Sequence, residues 1–123
     1  MTLRNALEVV IGALYAVGAV HQALWVLRNS QEFYVDMASS AWLQPAQTFV
    51  DEFLVSRSVA VTVIVVLLQA GIAVAILSRG RWVGPALVVG GVFSMLGALT
   101  GSVAEFVGYG VLAGIHFWLA SAR

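Results

Sequence analysis

Apolar residues run along this chain in four long blocks with few polar interruptions. The first covers residues 5–27 and is broken by Glu8, His21 and Gln22. The second, 58–78, carries Gln69 as its one strongly polar residue. The third and fourth are 82–101 and 103–122, and Pro85 falls in a first helical turn, where its missing N–H costs nothing. A helix of about 20 residues crosses a hydrocarbon core of ~30 Å, so each block is long enough to span a membrane. Residues 9–20 match a secretory leader core in length, but the block continues to residue 27 and is read as a span rather than a leader.

The connections between blocks are unequal. Arg79-Gly80-Arg81 and Gly101-Ser102 are tight turns, which predicts that spans two, three and four are antiparallel neighbours. Residues 29–57 are too long for a simple connector and too apolar to be disordered. Within them Pro45 suits a first helical turn. After it, Phe49, Val50, Phe53 and Leu54 share one broad face opposed by Asp51 and Glu52. That pattern predicts an amphipathic helix on the membrane surface or capping the bundle, able to run on into span two. A partner-docking surface is the alternative.

Composition agrees with the pattern. The 123 residues are 61% hydrophobic and 10% charged, against about 45–50% and about 25% in soluble domains. The expected fold is therefore an all-α integral membrane four-helix bundle, one domain over residues 1–123, with an amphipathic outer segment between helices 1 and 2. Net charge is zero and no basic patch exists, which argues against nucleic-acid partners. The expected partners are the lipid bilayer and other membrane subunits or further copies of this chain. Arg4, Arg79, Arg81 and Arg123 fall at one end, and Arg28 and Arg57 at the other. The arginine excess predicts both termini on the cytoplasmic side of the cell membrane, with Trp25 and Trp42 at the outer interface and Trp82 and Trp118 at the inner one.

Each span carries one polar or small face. Glu8, Gly12, Tyr15, Ala19 and Gln22 align in the first, Ser58, Thr62, Gln69 and Ala73 in the second, and Gly90, Ser94, Gly97 and Gly101 in the third. In the fourth, Glu105, Tyr109, Leu112 and His116 fall within roughly 60°. Packing on these faces places Glu8, Tyr15, Gln22, Gln69 and Glu105 in the bundle interior. Gly97 and Gly101 form a small-xxx-small pair that lets backbones approach.

Chemistry is limited by what the chain lacks. With no cysteine there is no disulfide, thiolate metal site or dithiol, and the two histidines are the strongest ligand candidates. Ser102 and Glu105 have capping-box spacing, so Glu105 is read as a helix cap. Asn5 and Glu8 repeat the spacing, with Asn5 as a candidate cap, the alternative being a membrane helix that starts earlier. His116 has no such explanation. It lies about 16 Å below Glu105 along the helix, at a depth where Glu8 is its expected ion-pair partner if the first and last spans touch. His21 and His116 together suggest a bis-histidine haem. However, their depths differ by roughly 10 Å and His21 lies off the polar face, with Leu14, Gly18 and Trp25. Tyr109 and Tyr15 are candidates to hydrogen-bond a quinone carbonyl. A haem or quinone held by His116, His21 and Tyr109 is one functional expectation. A proton or small-solute path through Glu8, Gln69 and His116 is another.

The stretch Leu-Leu-Gln69-Ala-Gly71, running on through Arg79-Gly80-Arg81-Trp82 into a glycine-rich span, resembles the DoxX-like family of small four-span membrane proteins. The resemblance covers residues 58–101. It implies a membrane subunit of a kind sometimes associated with redox partners, although members often carry an acid where this chain has Gln69, and no catalytic residues carry over. The leading functional expectation is a non-enzymatic accessory subunit that assembles with itself or with a larger, redox-associated membrane complex, with no catalytic residue and no metal site.

Overall fold

The computed structural model describes residues 2–123, all in helices and short turns. Four helices are long and apolar enough to cross a membrane, so the chain is a multi-pass membrane protein built as a four-helix bundle.

The first span, α1 (Leu3–His21), starts earlier than expected. Thr2, not Asn5, is the N-cap, its hydroxyl accepting the Asn5 N–H at 3.1 Å. Glu8 is thereby freed from the helix end. Beyond His21 the helix widens by one π-type turn, Gln22–Val26, and stops at Asn29.

The outer segment is a helical hairpin. It consists of α2 (Ser30–Ser40) and α3 (Gln44–Phe49), the latter opened by Pro45. A wide turn at Val50–Leu54 and a tight one at Val55–Arg57 carry α3 into α4 (Ser58–Leu77), as the expected continuity with the second span requires. Val50 is fully buried against Tyr34 and Ala38, giving the hairpin its own small core. Phe49 and Phe53 stack on each other at 5.3 Å but stay half-exposed. The Trp42 N–H donates to the Gly101 carbonyl at 3.3 Å and its ring meets Phe106 edge-on. The hairpin therefore reaches across to the turn between the last two spans and caps the bundle.

The remaining spans are α5 (Val83–Thr100) and α6 (Val103–Ser121). The capping box at the start of α6 is present in both directions, Ser102 to the Glu105 N–H and Glu105 to the Ser102 N–H. Packing is closest between α1 and α4 and between α5 and α6, and α4 on α5 joins the two pairs. Helix one therefore lies against the second span, a placement that periodicity alone leaves open. α1 and α6 meet chiefly through side chains.

The tightest contacts that another span makes on a helical glycine are at Gly90 and Gly91, and Gly97 of the Gly97–Gly101 pair has only ordinary ones. A Cβ on Gly90 would lie 2.7 Å from Tyr15 Oη, and one on Gly91 2.7 Å from the Phe117 ring. At Gly97 the nearest atom is 3.5 Å away, an ordinary contact, and Gly101 serves the turn. The outward faces stay apolar: only 17% of the apolar window of α6 is buried within the chain, leaving the rest for lipid or other subunits.

Candidate functional site

Two polar clusters lie inside the bundle, at different depths. The first sits at the end that carries Arg4, Arg79 and Arg123. Glu8 is fully buried there and accepts from Arg79 Nη2 at 2.7 Å on one oxygen. Arg123 grips both oxygens, Nε and Nη2 each at 2.9 Å. This two-pronged fit matches guanidinium to carboxylate geometry. The bond to Glu8 raises the Arg123 pKa above its ordinary value, with burial opposing. Arg79 also reaches Asn5 Oδ1 at 3.3 Å, and Arg4 Nη1 donates to the Ala122 carbonyl at 2.7 Å. Arg79 adopts a left-handed backbone, φ 58°, at the exit from α4. Glycine is the usual residue in that conformation, so the arginine occupies a strained position from which its side chain reaches Glu8.

The expected Glu8–His116 pair is therefore not formed. Glu8 is saturated by two arginines contributed by the α4–α5 turn and the residues beyond α6, and His116 has another partner.

That partner is Tyr15. His116 is fully buried, and its Nε2 lies 2.9 Å from Tyr15 Oη, with the rings edge to face at 5.6 Å. Its Nδ1 lies 2.7 Å from the Leu112 carbonyl one turn back on α6. Tyr15 Oη is also 3.0 Å from the Gly90 carbonyl. Three spans thus converge on one pair, α1 through Tyr15, α5 through Gly90 and α6 through His116. Gly90 is what permits this, because any side chain there would occupy the space of the pair.

The pair heads a cavity of about 290 Å³ lined by all four spans. Ile11, Leu14, Phe93 and Leu112 supply apolar walls, and Gln69, Ser94 and Tyr109 add polar groups. A second cavity, about 420 Å³ and mostly apolar, adjoins it beneath the outer hairpin and shares Gln69, Phe93 and Tyr109. Gln22, Glu105, Phe33 and Met37 contribute to its wall. Gln69 Oε1, Gln22 Oε1 and Ser94 Oγ are buried without a hydrogen-bond partner in the protein. Buried polar atoms are rarely left so, and here they line the cavities.

His21 is not part of this site. It is exposed and lines a shallow groove with Trp25, Glu32 and Asp36 of the outer segment. The two histidines do not converge, and both ring nitrogens of His116 are engaged. The residues present do not fit a bis-histidine haem. They do fit a flat, lipophilic molecule with hydrogen-bonding oxygens, which needs apolar walls and a few convergent polar groups. Among the described residues no three His, Asp or Glu side chains are grouped to hold a metal ion.

Arg79 and Arg123, partly exposed beyond the helix ends, are partners of the buried Glu8 that periodicity does not reveal. An arginine directly before Gly80, in the slot where a helix ends, is the one local signal. No family model, curated protein or solved structure matches this chain.

Proposed function

We propose that this chain is a non-enzymatic, four-span subunit of the cell membrane that holds a membrane-soluble ligand of the quinone class between its two helix pairs. The observation that carries this reading is the run of two adjoining cavities through Gln69, Phe93 and Tyr109, with the Tyr15–His116 pair at one end. A quinone ring needs hydrogen-bonding groups at its oxygens, and its tail needs an apolar slot. Ser94 Oγ, without a partner in the protein, can donate to a quinone oxygen, and Gln69 Oε1 can accept from the hydroxyl of the reduced quinol. Leu14 and Tyr109, both substantially exposed, flank the loosely packed side between α1 and α6, so the bilayer is the natural source of the ligand.

The arginine distribution orients the chain with Thr2 and Arg123 on the cytoplasmic side. A redox-associated membrane assembly, which the DoxX-like resemblance also implies, is the setting in which such a subunit would act, and the apolar outer face of α6 is available to other subunits. The reading through a proton or solute path of Glu8, Gln69 and His116 is weaker, because Glu8 is closed by Arg79 and Arg123.

The test is purification from native membranes in mild detergent, followed by solvent extraction and optical spectra before and after dithionite. Extractable quinone approaching one per chain, with no Soret band, is expected. A Soret band, or protein free of quinone that takes none up, would sink the reading.

A further inference from the structure

The Tyr15–His116 pair makes three contacts, and each needs a hydrogen. The carbonyls of Leu112 and Gly90 only accept. The contact at 2.7 Å therefore requires a hydrogen on His116 Nδ1, and the one at 3.0 Å requires the Tyr15 hydroxyl to donate to Gly90. The third contact, Tyr15 Oη to His116 Nε2 at 2.9 Å, then has no hydrogen left if the imidazole is neutral. The single hydroxyl hydrogen is contested by Gly90 and Nε2. An imidazolium fills all three: Nδ1–H to Leu112, Nε2–H to Tyr15 Oη, and Tyr15 O–H onward.

The surroundings supply no counter-charge. The ring meets Tyr15 of α1, Gly90 of α5 and the Leu112 carbonyl of its own helix, and the polar groups that share its cavity are Gln69 of α4, Ser94 of α5 and Tyr109 of α6, all uncharged. Glu8 lies two turns away on α1 and is already held by Arg79 and Arg123. An extra proton on His116 must therefore be stabilised by neutral acceptors, and the cavity is where a further acceptor can enter.

We infer that the Tyr15–His116 pair is a one-proton site linked to the cavity, so that a carbonyl ligand and a proton bind together. This rests on the quinone-class reading above. While Nε2 is an unprotonated acceptor, it competes with any ligand for the Tyr15 hydrogen. Once Nε2 carries a proton it donates to Tyr15 Oη, and the Tyr15 hydroxyl is free to turn from Gly90 to the ligand oxygen. One proton moves from solvent to Nε2, and no bond within the ligand is made or broken. Linkage then requires each to favour the other.

The chain has two histidines, and His21 is exposed and outside the cavity, so His21→Gln leaves His116 as the sole imidazole. That variant, labelled with 15N-histidine in lipid nanodiscs, is titrated with decylubiquinone across pH. Above the histidine transition the quinone should convert the ring from the Nδ1–H tautomer to imidazolium, and Kd should rise about tenfold per pH unit. Tyr15→Phe should remove that pH dependence. A Kd independent of pH, with the ring neutral throughout, would overturn the inference while leaving the ligand reading intact. If no quinone binds at any pH, the ligand reading fails instead. The titration without quinone then decides the proton site: Tyr15→Phe must displace the midpoint, and an unchanged midpoint overturns it.

Discussion

The carboxylate of Glu8 is gripped on both oxygens by Arg123, 115 residues away, each contact at 2.9 Å. The pair fastens the start of α1 to the residues beyond α6. Glu8 is fully buried, whereas the Arg79 and Arg123 side chains keep 33% and 29% of their exposure. Removing one partner of a fully buried pair costs about 3–5 kcal/mol, and partial exposure of the arginines reduces that to about 2 kcal/mol here. Arg123→Gln and Glu8→Gln should each lower stability by about that amount, measured as thermal unfolding in detergent. Combined, they should cost less than their sum, because once Glu8 has lost its charge the Arg123 guanidinium has no ion pair left to lose. Strict additivity would contradict the pairing.

Arg79 gives a second, opposite-signed expectation. Its left-handed backbone costs a non-glycine residue roughly 1 kcal/mol, and its side chain recovers energy at Glu8. Arg79→Gly loses the ion pair but relieves the strain, whereas Arg79→Ala loses the pair and keeps the strain. The glycine variant should therefore unfold at the higher temperature of the two, by about 1 kcal/mol in stability. The reverse order would mean that Arg79 is not held in this conformation.

Glycines on α5 and α6 should differ sharply in tolerance. An added Cβ at Gly90 meets Tyr15 Oη at 2.7 Å and the His116 ring at 2.8 Å, while one at Gly114 meets nothing within 4 Å. Gly90→Ala must displace the pair or separate α5 from α6, an overpacking cost of about 1–3 kcal/mol. Gly114→Ala should be neutral or slightly stabilising. Thermal unfolding of the two variants checks this, and equal behaviour would argue against close approach at Gly90.

The start of α6 depends on a small motif. Ser102→Ala removes the hydroxyl that accepts the Glu105 N–H at 3.3 Å, and should cost about 1 kcal/mol. Hydrogen exchange should accelerate in the first turn of α6 and leave the α4–α5 turn unchanged. Protection unchanged at Glu105 would show that the cap contributes nothing.

Much of the interior is legible from spacing. Glu8, Gly12, Tyr15 and Ala19 share one face of the first span, and all four are buried. Ser58, Thr62 and Ala73 behave likewise in the second, where Ser58 meets Ser30 at 3.0 Å. The Ser102–Glu105 cap is equally readable, because it is local. Partners across spans are not. Periodicity says which face is turned inward but not which helix receives it. Depth alone matches Glu8 with His116, yet Arg79 and Arg123 are the partners that Glu8 takes. Tyr15, with no charge, is what satisfies the buried imidazole. The start of α1 is open in the sequence for a related reason, since Thr2 and Asn5 are both competent caps and Thr2 is the one used. Gly90 could not be singled out among the glycines of α5, because only the arrival of Tyr15 and His116 from two other spans makes its lack of a side chain necessary.

The most direct test of the cavity reading is equilibrium binding of decylubiquinone to the chain in nanodiscs, compared with Tyr15→Phe and Ser94→Ala. Saturable binding at one molecule per chain is expected, weakened about tenfold in each variant by loss of a hydrogen bond at the head of the cavity. Binding that does not saturate, or that is identical in all three proteins, would contradict it.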